Sequence, residues 1–79
     1  MNRLKAVLSK VLGIDANSIT DKTSPGNVES WDSFNGLMLA SELEKEFNVK
    51  FTMEEVVSVK NVRDIKESLK SHGIKLNEQ

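Results

Sequence analysis

The sequence has no cysteine and no tyrosine, and only one proline, one histidine and one tryptophan. Without cysteine there is no disulfide, no thiolate metal site and no thiol nucleophile. The usual staple of small secreted domains is missing with it, so a reducing cytoplasm is the expected setting. The lone His72 supplies neither a histidine metal cluster nor a Ser-His-Asp set, so no metal site is expected. Long apolar runs are also absent. The opening segment MNRLKAVLSKVLG is interrupted by Lys5 and Lys10, so neither a signal peptide nor insertion into a membrane is expected. A net charge of −1 gives no overall attraction to nucleic acid.

What is present is helical periodicity. The 79 residues suffice for one domain with a small core, spanning 1–79, and a monomer is expected. Leu4, Val7, Leu8, Val11 and Leu12 recur at helical spacing over residues 3–12, and Gly13 ends that helix with Ile14 beyond it. Residues 14–31 read as a long ordered loop containing Pro25-Gly26, pinned by Ile14, Ile19, Val28 and Trp31. Loops of that length in small domains are uncommon and often functional. A second helix spans about 33–47, starting at Asp32 or Ser33. Thr52 and Glu55 form a capping box for a short third helix over 53–57. Asn61 caps a fourth over 62–72, with Val62, Ile65 and Leu69 as its stripe and Gly73 at its end. No strand has clear alternation. The expected fold is therefore all-α, a small four-helix bundle with a long first loop and a short third helix.

The second helix carries two apolar faces. At roughly 100° per residue, Leu39, Ala40, Leu43 and Phe47 fall on one side, and Phe34, Leu37 and Met38 on the other, with Ser41 between them. The first set suits the core. For the second, two readings stand open: an exposed patch that binds a partner, or a surface covered by the long loop with Trp31 as its lid. Residues 29–55 hold seven of the twelve acids and two of the eleven bases, a surface that would steer a basic partner toward this helix.

Asp32-Ser33 also has two readings. Both residue types are preferred helix caps, and the residues by themselves favour that role. The same helix start exposes N–H groups and a partial positive charge, a seat for a phosphate bonded to the Ser33 oxygen. Asp32 would then help to position a metal or the incoming donor. With no base near Ser33 in sequence, the protein would be the substrate of such a transfer and not its catalyst.

The run WDSF, followed by LMLASELEKEFNV and FTMEEVVSVKNVRDI, resembles the acyl carrier protein family, and VLGI at the end of the first helix has its usual place there. The resemblance covers about Leu4 to Leu69. It implies a non-catalytic carrier whose Ser33 bears 4′-phosphopantetheine, installed by a phosphopantetheinyl transferase from coenzyme A. The arm holds acyl or related intermediates as thioesters and delivers them to loading ligases or synthases of fatty-acid, polyketide or another dedicated biosynthetic pathway. Asp32 corresponds to the acid that helps the transferase bind its magnesium. Phe34 and Leu37 correspond to apolar partner contacts, Met38 and Ser41 share their face, and Glu44 matches an acidic partner contact. Leu39, Leu43, Val56 and Val59 match the lining of an acyl cavity.

Several positions depart from the family pattern. Phe34 stands where Leu is usual, and Asn35, Gly36 and Met38 occupy a helix start that is more acidic in fatty-acid carriers. These departures suggest a specialised carrier with a more apolar partner. Pro25-Gly26 replaces an aromatic of many members, which leaves the loop-side wall of the cavity unassigned. An aminoacyl or peptidyl carrier, and an unmodified helical interaction domain, remain as alternatives.

Overall fold

A computed structural model describes residues 3–75; residues 1, 2 and 76–79 of the expected 1–79 span lie outside the described residues. The described residues form four α-helices: α1 (Arg3–Leu12), α2 (Ser33–Phe47), α3 (Met53–Ser58) and α4 (Val62–Ser71). A 3₁₀ turn at Ala16–Ser18 interrupts the long loop where the sequence shows no helical period. Its local cause is Asp15, whose side chain accepts from the Asn17 N–H at 2.9 Å, an Asx-type turn.

Each helix end follows from its terminal residues. Gly13 closes α1 with φ 68° and donates its N–H to the Ser9 carbonyl. Asn48 ends α2 in the left-handed region, a conformation asparagine tolerates better than most residues. The Thr52–Glu55 capping box starts α3, with both reciprocal bonds made. Asn61 caps α4 by accepting from the Asp64 N–H at 2.9 Å. α4 ends at Ser71, with His72 as its cap and Gly73 at φ 84°.

The core gathers one stripe from each of three helices: Leu4, Val7, Leu8 and Leu12 of α1; Leu39, Leu43 and Phe47 of α2; Val62, Ile65 and Leu69 of α4. Burying each such side chain stabilises the fold by about 1.5–3 kcal/mol. α1 packs directly on α2, and α3 touches α2. Outside the core, Arg3 Nε meets Glu46 Oε2 at 2.8 Å, and its guanidinium lies over the Phe47 ring.

The loop adds Ile19 and Trp31 to the same core, with Val28 and Ile14 half-buried against it. Side chains and turns hold it in place. The Ser30 hydroxyl donates to the Leu12 carbonyl at 2.7 Å, and the Ser9 hydroxyl to the Ile14 carbonyl at 2.6 Å. The loop also serves α4. The Val62 and Arg63 N–H groups, which have no intrahelical acceptor, donate to the Thr23 and Asp21 carbonyls. Trp31 is thus a core residue and not a lid over the second face of α2: Phe34, Leu37 and Met38 are 69%, 54% and 40% exposed.

Candidate functional site

The start of α2 separates two residues that the sequence leaves interchangeable. Asp32 is the N-cap: its backbone is extended and its Oδ1 accepts from the Asn35 N–H at 2.9 Å. Ser33 is the first helical residue, is exposed, and its hydroxyl bonds to no atom of the described residues. The Ser33 and Phe34 N–H groups, at the positive end of the helix, likewise have no acceptor among them. The cap is therefore complete without Ser33, and its hydroxyl stands in solvent beside two unpaired donors.

The loop fixes this corner. Asn35 donates its side-chain amide to the Ser30 carbonyl at 2.6 Å, and Ser30 is itself tied to Leu12 at the end of α1. Asn35 therefore has a structural task that its sequence position, beside the motif, does not disclose. Phe34, Leu37, Met38 and Ser41 lie exposed along α2 from this corner. Met53 and Val57 of α3 are 68% and 70% exposed, two more apolar side chains one helical turn apart that sequence reading missed. Their i, i+4 spacing was the available signal. Glu44 is half-buried, and its Oε2 accepts the Phe51 N–H at 2.9 Å, so that carboxylate also holds the α2–α3 connection.

Behind the helix start lies a cavity of about 60 Å³. Leu39, Leu43, Val56 and Val59 all line it. Trp31 and Gly36 form part of its wall, so the loop contributes its aromatic there from position 31, not from around 25. Phe51 and Ile65 complete the apolar lining, and Glu55 and Ser68 bring polar groups to it. Glu55 is fully engaged: Oε1 accepts the Thr52 N–H at 2.8 Å, and Oε2 faces the Ser68 hydroxyl at 2.9 Å and His72 Nε2 at 2.8 Å. These bonds, led by the Thr52 N–H, hold its pKa down to about 2. The His72 ring meets Phe51 edge-on, with centroids 5.4 Å apart. One carboxylate thereby joins the short α3 to α4 across the cavity wall.

Among the described residues no group of acidic and histidine side chains is arranged to hold a metal, and no helix is long and apolar enough to cross a membrane.

The sequence matches the family described as the phosphopantetheine attachment site over residues 2–69. A solved structure assigned as an acyl carrier protein from Mycobacterium tuberculosis is similar to this one with a TM-score of 0.78. The two are 25% identical, and the match covers 87% of this chain and 92% of that one. No curated protein sequence matches the chain.

Proposed function

This chain belongs to the acyl carrier protein family, and we propose that Ser33 is the residue that bears its phosphopantetheine arm. Members are non-catalytic carriers, and the group is attached covalently to a serine. One observation carries the choice: the helix cap is supplied by Asp32, which leaves the Ser33 hydroxyl exposed and unbonded at the α2 N-terminus. The corner suits the group. A phosphodiester on Ser33 Oγ would meet the unpaired N–H groups of Ser33 and Phe34 and the positive end of the helix. The arm supplies a terminal thiol, on which cargo is held as a thioester.

The remaining residues take their roles from this placement. Asp32 keeps the helix start in register and offers a carboxylate beside the reacting hydroxyl to a phosphopantetheinyl transferase working with coenzyme A. Phe34, Leu37, Met38 and Ser41 form the docking face for that transferase and for the ligase or synthase that loads and unloads the arm. Glu44 borders the face while bracing Phe51. Leu39, Leu43, Val56 and Val59 shelter the cargo chain. The apolar character of the exposed face, with Phe34 at its head, supports a specialised carrier of a dedicated cytoplasmic pathway over the general fatty-acid type.

Intact-mass measurement after incubation with a phosphopantetheinyl transferase and coenzyme A tests the assignment. Wild type gains one phosphopantetheine and Ser33→Ala gains none. A gain that survives Ser33→Ala places the arm elsewhere, and no gain on wild type removes the reading.

A further inference from the structure

The cavity wall contains one polar group that the fold leaves unpaired. Trp31 is 6% exposed, yet its indole N–H donates to no atom of the described residues. Among those residues, no side-chain nitrogen or oxygen that is completely enclosed lacks a partner. The indole nitrogen therefore borders accessible space. Gly36 locates it: a Cβ built on Gly36 would stand 3.8 Å from Trp31 Nε1, and both residues line the cavity. Solvent can satisfy this donor while the space beside it is open, but an occupant that displaces the solvent without offering an acceptor leaves the N–H unpaired, at a cost. The other polar groups of the wall, Glu55 and Ser68, already satisfy each other. Trp31 is the exception.

Size and chemistry then restrict the occupant. A cavity of roughly 150 Å³ accepts a benzene ring; this one, at about 60 Å³, accommodates much less, roughly two or three carbon atoms by the same proportion. A saturated chain filling it would strip solvent from the indole N–H and return nothing. A short chain with an oxygen along it would pair with that N–H while its carbons meet Leu39, Leu43 and Val59. Gly36 keeps the approach open, since any side chain there would begin in contact with the indole nitrogen.

We propose that the cavity selects a short acyl group carrying an oxo or hydroxyl oxygen beyond its thioester, with the Trp31 indole N–H as the donor to that oxygen. The proposal rests on Ser33 bearing the arm. Trp31 acts as a specificity residue and takes no part in forming or breaking the thioester.

Trp31 is the single tryptophan, so the protein has one indole N–H resonance. The experiment loads the ¹⁵N-labelled carrier from 3-oxobutyryl- or butyryl-coenzyme A with a transferase that accepts both, and checks each product by intact mass. On the 3-oxobutyryl form the indole proton moves downfield and exchanges with water several-fold more slowly, up to about tenfold for one ordinary hydrogen bond. On the butyryl form it shows neither change. Equal responses to both chains, or a response already complete on the unacylated arm, overturn the proposal while leaving Ser33 as the attachment site. Failure of the mass to increase removes the Ser33 reading instead. As a second measure, loading with 3-oxobutyryl raises the melting temperature more than loading with butyryl, and Trp31→Phe, which keeps a ring but no donor, abolishes that difference. A difference that persists in Trp31→Phe counts against the indole.

Discussion

The side-chain amide of Asn35 donates to the Ser30 carbonyl across 2.6 Å, joining the end of the long loop to the first turn of α2 on either side of Ser33. The same residue gives its backbone N–H to Asp32. Asn35→Ala keeps the backbone bond and strands the half-buried Ser30 carbonyl. The expected loss is about 1–2 kcal/mol, read from the urea midpoint, with faster amide exchange in residues 28–35. Unchanged exchange there would show that Asn35 does not hold the corner.

Capping and chemistry separate at Asp32. Asp32→Asn retains a cap of similar quality, whereas Asp32→Ala costs about 1 kcal/mol. Stability of the asparagine variant should match wild type within about 0.5 kcal/mol. A slower rate of phosphopantetheine transfer in Asp32→Asn then reports the carboxylate alone. Equal rates in both would confine Asp32 to its cap.

Acid should loosen α3 through Glu55. Its carboxyl titrates near 2 in the folded chain against an ordinary value of 4.5. The unfolded chain therefore binds this proton more readily, so stability rises with pH across that window. The contribution is complete above about pH 4.5 and is lost as pH falls through about 2. Urea midpoints measured between these limits should fall more steeply for wild type than for Glu55→Gln. Identical slopes would show that the bonds to Thr52, Ser68 and His72 do not favour the ionised form.

Gly36 is a helical glycine whose added Cβ would make only ordinary contact at 3.8 Å. Gly36→Ala should therefore stabilise the fold by about 1 kcal/mol, seen as a higher melting temperature. The methyl group should also weaken the response of the indole resonance to an oxygenated cargo. A lower melting temperature would mean that the corner around Trp31 is tighter than the structure shows.

Leu37 is 54% exposed and contributes little to the core. Leu37→Asn should change stability by less than about 0.5 kcal/mol and still slow phosphopantetheine transfer, with the loss in KM. Transfer kinetics equal to wild type would place the transferase's contact elsewhere.

The helices were legible because their causes are local. A stripe every three to four residues, Gly13 and Gly73 beyond helix ends, and the Thr52–Glu55 and Asn61 caps act within one or two turns of chain. The Asp32-Ser33 motif was legible as a motif. The 3₁₀ turn at Ala16–Ser18 was not, because three residues held by one aspartate have no period to detect.

Sequence by itself determined where the chain turns helical, which stripe of each helix is apolar, and which serine sits at a helix start. Tertiary structure decided what shares a location. It placed Trp31 in the core instead of over Phe34 and Leu37, because the loop is drawn inward by Ile19 and held at Leu12 by Ser30. It gave the cap to Asp32 and left the Ser33 hydroxyl unbonded. It set the Trp31 indole nitrogen beside Gly36, and bound Glu55 to Ser68 and His72. The loop–core and α3–α4 contacts depend on how separate segments pack against a common core, which no pattern along one segment encodes.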